Sequence, residues 1–328
     1  MSVFKLKLKI KVIKELKKII SDIKENVSLS DYTSFKIGGP ARFFAVVDDE
    51  DNLIKLLKFA KKEKLKYLII GEGSNMLAAD AGFDGLVIKL NFKKISFNNA
   101  EIKVSSDFIL TQLVGLAVGR GFSGLEFATG IPGTVGGAVV GNAGAYGGDM
   151  SGVVEKVEVI DGDCQKIKLL KSDLKFSYRD SILKDSGFVL LNVFLNLKPG
   201  DKMKLIELMN KHAVDRSQKH PYEPSAGSTF KNIPLTDEIA KIFKKQNLGI
   251  PQKFIDYKKI PAAWLIEQAG LKGKKIGQAQ ISEKHANHLV NLGGAAADEV
   301  VQLISLVKTK IRDEFGIQLE EEVRYIGF

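Results

Sequence analysis

Gly130-Ile131-Pro132-Gly133-Thr134-Val135-Gly136-Gly137, continuing through Gly141-Asn142-Ala143-Gly144-Ala145-Tyr146, decides how this chain is to be read. Residues 121–148 hold ten of the chain's 31 glycines, a density that turns alone do not explain in a stretch poor in Asp and Lys. Glycine lets backbone N–H groups converge on an anion with no Cβ in the way, and Thr134 and Asn142 add side-chain donors. The pattern predicts a diphosphate cradle. A second glycine loop, Gly71-Glu72-Gly73-Ser74-Asn75-Met76, follows directly on the apolar run Tyr67-Leu68-Ile69-Ile70. It lacks the third glycine of the dinucleotide fingerprint, and no acidic residue follows at the required spacing, which argues against a Rossmann site. Two such loops on one domain suffice for an extended dinucleotide.

Around these loops the pattern is α/β. Residues 42–47 have the content of a strand, residues 51–65 have apolar positions at helical spacing with Asp51 as N-cap, and residues 67–70 form a second strand. Strand, helix and strand in succession predict a βαβ unit with a parallel pair. Residues 86–90, 102–104, 154–160, 167–170 and 188–197 read as further strands, and 108–118 as a helix. From residue 201 helical patterns dominate (201–213, 236–246, 261–269, 297–314), broken by loops at 221–228 and 270–282, so a domain boundary is expected near 200. Residues 322–326 read as a terminal strand.

The 328 residues carry 49 Lys+Arg against 39 Asp+Glu, a net charge of +10, with 45% apolar and 27% charged residues, the balance of a globular chain. Residues 1–25 hold eight lysines against three acids, half of that excess. Lysine alternates with apolar residues from Phe4 to Lys11, which predicts a strand-like leader followed by an amphipathic helix over 12–23, not a signal peptide. Its one aromatic, Phe4, is too few for a single-strand nucleic-acid binder, so no nucleic-acid partner is expected. No apolar run approaches the roughly 20 residues that span a bilayer, so no membrane insertion is expected. The single cysteine, Cys164, excludes a disulfide framework and fits a cytoplasmic location. His212, His220, His285 and His288 lack metal-ligand spacing, and no metal is expected.

Three further motifs are uninformative singly. Tyr178-Arg179-Asp180-Ser181 reads as a surface ion pair. Pro224-Ser225-Ala226-Gly227-Ser228-Thr229-Phe230-Lys231-Asn232 reads as a loop and cap, and it is not the Gly-x-Ser-x-Gly of a nucleophile elbow. In Leu319-Glu320-Glu321-Glu322-Val323-Arg324-Tyr325-Ile326-Gly327, strand alternation puts Glu320 and Glu322 opposite Glu321.

Taken in order, with Thr33-Ser34-Phe35-Lys36-Ile37-Gly38-Gly39-Pro40-Ala41, Ala263-Trp264-Leu265-Ile266-Glu267-Gln268-Ala269-Gly270-Leu271-Lys272-Gly273 and Ser282-Glu283-Lys284-His285-Ala286-Asn287, these segments are specific. From about residue 26 to the end, the chain resembles the UDP-N-acetylenolpyruvoylglucosamine reductase family (UDP-N-acetylmuramate dehydrogenases, MurB), flavoenzymes of peptidoglycan precursor synthesis. The resemblance implies a vanillyl-alcohol-oxidase-type fold. The lysine-rich leader (1–25) would precede two α/β FAD-binding subdomains (26–90 and 91–204). A substrate-binding domain (205–315) and a terminal strand (316–328) would follow. It implies that Gly71, Gly73, Ser74, Asn75 and Met76 bind the FAD diphosphate and ribityl region. From the second loop Gly130, Ile131, Pro132, Gly133, Thr134, Gly136, Gly137, Asn142, Gly144 and Ala145 would join them. FAD would be noncovalent, since neither loop contains histidine.

The implied reaction passes a hydride from NADPH through FAD to C3 of the enolpyruvyl ether. Ser228 would protonate C2, while Arg179 and Glu322 would stabilise the enolic intermediate, the latter as a protonated carboxyl with raised pKa. Arg216 and Lys219 would meet the UDP phosphates and Asn232 the substrate. Arg179 and Lys219 are 40 positions apart with no tyrosine between Tyr178 and Tyr222, which resembles the type II form; a monomer is expected. Three positions depart from the family pattern: Ile233 before Pro234, His288 where phenylalanine is usual, and Lys274-Lys275. A different flavin oxidoreductase of the same fold and a non-catalytic flavin-binding paralogue are the rival readings.

Overall fold

A computed structural model describes residues 3–246 and 248–328. The chain forms two compact units: Met1–Val27, Ala41–Glu72 and Phe83–Gln218 make the first, and Ser28–Pro40, Gly73–Gly82 and Lys219–Phe328 the second. The second unit thus includes two short segments from the first quarter of the chain.

In the first unit a four-stranded sheet runs in the order Lys24–Ser28, Pro40–Val47, Phe83–Leu90, Tyr67–Ile70. The two strands of the expected βαβ unit are parallel but not neighbours, because Phe83–Leu90 inserts and pairs parallel to both. That central strand carries the apolar run Leu86-Val87-Ile88, fully buried, as a strand covered on both faces requires. The helix Glu50–Lys62 begins earlier than expected. Its N-cap is Asp49, whose carboxylate accepts from Asn52 N at 2.8 Å. Asp51 stands instead in the first turn with Glu50, where negative charge favours the helix dipole.

The leader is a single helix, Val3–Ile19, not a strand followed by a helix. Leucine and lysine are good helix formers, no glycine or proline interrupts them, and Val12 and Leu16, one turn apart, pack with Leu53, Leu56 and Leu57. Eight residues of alternation lose to propensity plus that anchor.

The first unit's other sheet is antiparallel, in the order Lys166–Leu170, Val154–Ile160, Val189–Asn196, Glu101–Ser105, Ile95–Asn98. Its inner face packs on Leu110, Leu113, Val114 and Ala117 of the helix Leu110–Gly119. Glu158, 5% exposed on a central strand, is paired by Lys103 (3.1 Å) and Lys168 (3.7 Å) and accepts from Asn192 Nδ2 (3.0 Å). Burial pushes its pKa up, but Lys103, Lys166 and Asn192 together outweigh it and hold the carboxyl below its ordinary value. A depressed folded pKa gives stability that is present above the unfolded value and lost as pH falls through the folded one. Glu158→Gln is therefore expected to lower Tm at pH 7, and the deficit to shrink below about pH 4. Thermal melts of both proteins across that range check it.

The second unit departs most from expectation. Its four-stranded antiparallel sheet, Ser225–Ser228, His288–Asn291, Ala279–Ile281, Lys275–Ile276, draws three strands from the segments expected to be loops. These strands are two to four residues long, too short to show period-two alternation. They pack on the helix Ala297–Phe315 through Ile281, Leu289, Val300, Leu303 and Val307. The terminal strand, Arg324–Ile326, pairs parallel with Met76–Ala78. No described helix is long and apolar enough to cross a membrane.

Candidate active site

In the first unit Gly71, which opens one glycine loop, packs against Thr134 of the other. A Cβ on Gly71 would stand 2.7 Å from Thr134 Oγ1, so this approach requires glycine. Thr134 caps the short helix Val135–Val140, its hydroxyl accepting from Gly137 N at 3.2 Å. Gly136 N donates to Ser106 O at 2.7 Å, and Gly133 O accepts from Leu110 N at 3.0 Å, which fixes the turn running through Gly130, Ile131 and Pro132. Gly144 and Ala145 pair with Gly148–Asp149. The one carboxylate among residues 71–76 and 130–145, Glu72, is held by Lys89 at 2.9 Å. Closely packed glycine backbone with no uncompensated negative charge fits the diphosphate of a dinucleotide.

Arg179 occupies the turn Ser177–Asp180, closed by Asp180 N to Ser177 O (3.3 Å) and Ser177 N to Asp180 O (3.1 Å). Its φ is 59°, a left-handed conformation that costs an arginine ~1 kcal/mol or more. The Arg179 guanidinium lies over the Tyr178 ring (5.4 Å), and Asp180 pairs with Lys184 (3.8 Å). Arg216, on the helix Lys202–Lys219, donates from Nε to Gly130 O at 3.1 Å. Burial lowers its pKa; Tyr146 and Asp215 oppose this, and the positive charge of Arg179 adds to it. Lys219 follows Arg216 by three residues, on the same helix face, and is exposed.

Tyr146, given no role by its sequence context, braces this helix. Its ring stacks on His212 at 3.8 Å, and its hydroxyl donates to Asp215 Oδ2 at 2.9 Å. Burial, with Asp215, pushes its pKa up to about 12.

In the second unit, Ser225 pairs with Val290 and Ser228 with His288, so the serine strand carries one extra residue, a β-bulge. Gly227 within it has φ 78°, and a Cβ there would meet only Ser74 O at 4.0 Å. The backbone conformation, not space, demands the glycine, and a bulge re-aims the side chain that follows it. That side chain is Ser228. Beyond it, Asn287 clamps the strand: its carbonyl accepts from Thr229 N (2.8 Å), and its side chain both accepts from Phe230 N (2.9 Å) and donates to Phe230 O (2.8 Å).

The C-terminal segment lies antiparallel along this strand. Glu322 N donates to Thr229 O (2.8 Å), Glu321 bridges Phe230, and Lys231 N donates to Glu320 O (2.9 Å). On its other side Asn75 Nδ2 donates to Glu322 O (3.1 Å) and Asn75 O accepts from Arg324 N (3.0 Å). Ser228 and Glu322 therefore belong to adjacent, hydrogen-bonded segments, while Glu321 turns to Lys308 at 2.7 Å. Gly73, Ser74, Asn75 and Met76 lie in this unit, with Gly73 O accepting from Ser34 N at 3.3 Å. Asn232 Oδ1 accepts from Ala262 N at 3.2 Å, at the start of the helix Ala262–Gln268.

The structure also gathers His220, His285 and His288, with ring centroids 4.6 to 5.5 Å apart. Spacing hid this, because His220 comes from a different segment. Among the described residues no group of His, Cys, Asp and Glu is arranged to hold a metal.

Comparison with known proteins bears directly on this geometry. Residues 218–326 match the family model described as UDP-N-acetylenolpyruvoylglucosamine reductase, C-terminal domain, and residues 41–169 match an FAD binding domain. The chain is 37% identical over 318 residues to UDP-N-acetylenolpyruvoylglucosamine reductase of Clostridium novyi, covering 96% of each chain. It is 39% identical over 312 residues to that of Anoxybacillus flavithermus, covering 94% of this chain and 95% of the relative. Among solved structures, UDP-N-acetylenolpyruvylglucosamine reductase from Thermus caldophilus superposes with a TM-score of 0.74 at 32% identity, over 93% of this chain and 99% of that one.

Proposed function

Since the chain belongs to the UDP-N-acetylenolpyruvoylglucosamine reductase family, we propose that Arg179, Ser228 and Glu322 carry its chemistry and that residues 71–76 and 130–137, with Gly144 and Ala145, hold its cofactor. The fold is that of an FAD-binding domain with a C-terminal domain, and the enzyme is an FAD oxidoreductase. It reduces UDP-N-acetylenolpyruvoylglucosamine with NADPH in peptidoglycan precursor synthesis. The observation that carries the residue assignment is the hydrogen bond from Glu322 N to Thr229 O (2.8 Å), which brings Glu322 beside the residue that follows Ser228, 93 positions earlier in sequence.

FAD, when bound, would supply the hydride needed at C3 of the enolpyruvyl ether. Addition there drives negative charge onto the substrate carboxylate, and the Arg179 guanidinium stabilises it. Ser228 Oγ then gives its proton to C2. A serine hydroxyl is a weak acid, and an enolic carbon basic enough to take its proton is what makes it competent. Glu322, one hydrogen-bonded step away, stabilises the enolic form alongside Arg179. Arg216 and Lys219 meet the UDP diphosphate as two cations on one helix face, and Asn232 contacts the sugar nucleotide beside its bond to Ala262.

The cofactor is held noncovalently, as neither glycine loop contains histidine. A monomeric state is part of the same proposal. A requirement for NADPH and a nucleotide sugar, together with a lone buried cysteine, supports a cytoplasmic location.

The purified protein is expected to be yellow, to bleach with NADPH under anaerobic conditions, and to recover its colour on addition of UDP-N-acetylenolpyruvoylglucosamine. Bleaching without recovery would sink the substrate assignment and leave a different flavin oxidoreductase. A colourless protein that takes up no FAD would remove the cofactor assignment.

A further inference from the structure

Arg179 is held in a strained conformation, and two buried groups do the holding. Asn142, 3% exposed, donates from Nδ2 to Ser177 O (2.8 Å) and accepts at Oδ1 from Ser151 N (2.9 Å). Ser181, on the other side of the turn, donates from Oγ to Val140 O (2.7 Å). Both anchors sit at the C-terminal end of the helix Val135–Val140, whose N-cap is Thr134. Six helical residues, about 9 Å long, thus run from the glycine loop to the turn that carries Arg179. Asn142 itself has φ 41°, which asparagine tolerates better than most residues.

We propose that Asn142 is a positioning residue for Arg179: its carboxamide fixes the Ser177–Asp180 turn and so sets the guanidinium where charge develops on the substrate carboxylate. The inference rests on the role proposed above for Arg179. It also separates Asn142 from the rest of its glycine segment, since its carboxamide is engaged at both ends by the protein.

Asn142→Asp and Asn142→Gly test this. Both tolerate a positive φ, and aspartate keeps the acceptor for Ser151 while turning an oxygen toward Ser177 O. In each variant FAD affinity, read by flavin fluorescence, and reduction by NADPH are expected to stay within about twofold of wild type. Reoxidation by the UDP-sugar is expected to slow by at least about tenfold, because small misplacements of an oriented group are costly. In an Arg179→Ala background, Asn142→Asp is expected to add less than about twofold, the signature of one residue acting through another. Weakened FAD binding with normal reoxidation of the loaded enzyme would overturn the inference and return Asn142 to the cofactor. A lowered Tm with both half-reactions normal, or equal slowing in both backgrounds, would also overturn it. Slow Arg179→Ala beside normal Asn142→Asp defeats the inference alone, whereas normal Arg179→Ala defeats the role of Arg179 and the inference with it.

Discussion

Ser228→Ala is expected to leave flavin reduction by NADPH intact and to slow flavin reoxidation by UDP-N-acetylenolpyruvoylglucosamine by ~10²–10⁴-fold, the range of a lost general acid. The separation of half-reactions follows from where the proton is needed. Ser228 is assigned to C2 of the substrate, and reduction by NADPH involves no such transfer. Removing one hydroxyl from a partly buried strand residue leaves the backbone in place, because the bulge at Gly227 and the Asn287 clamp on Thr229 and Phe230 use no atom of the serine side chain. Tm should therefore change little, which keeps the kinetic result interpretable. Stopped-flow absorbance of the flavin band, with NADPH and the UDP-sugar in separate mixes, reads each half-reaction directly. Unchanged reoxidation would remove Ser228 from the mechanism, and equal slowing of both halves would point to a disturbed cofactor site.

How much of this was legible in the sequence depends on how local each feature is. The cradle could be read because glycine, threonine and asparagine cluster within one stretch, and their types alone specify an anion site. The longer first-unit strands such as Val154–Ile160 and the helix Ala297–Phe315 match their expected bounds closely, since each is long enough to show its period. Ser225–Ser228 was hidden for the opposite reason. Four residues with a glycine bulge look like a loop, and only the partner strand His288–Asn291 makes them a sheet. Asn287 and Tyr146 belong to the same class: each acts through hydrogen bonds or stacking to residues distant in sequence. For Arg179 the sequence offered only a pair with its neighbour Asp180; the left-handed turn held by Asn142 is announced by no pattern of neighbours. The leader failed in another way, as alternation over eight residues suggested a strand where helix propensity and the burial of Leu16 prevail.

Arg179→Ala is expected to slow reoxidation by the UDP-sugar by ~10²–10³-fold, the cost of removing one preorganised donor from a developing anion. Arg179→Lys should recover only part of that loss, because an ammonium keeps the charge but not the planar fork that matches a carboxylate. The backbone supplies a sharper variant. At φ 59° arginine pays a conformational penalty that glycine escapes, so Arg179→Gly is expected to be at least as stable as Arg179→Ala and equally slow. Stability and activity should thus move apart at this position, as they do where strain is retained for function. Thermal melts and stopped-flow traces on the three variants measure both. A rise in KM for the UDP-sugar with kcat unchanged would recast Arg179 as a binding cation of the kind proposed for Arg216, since an interaction made equally in ground and transition states alters KM alone. A fall in kcat and kcat/KM together is the outcome that assigns Arg179 to the enolic intermediate.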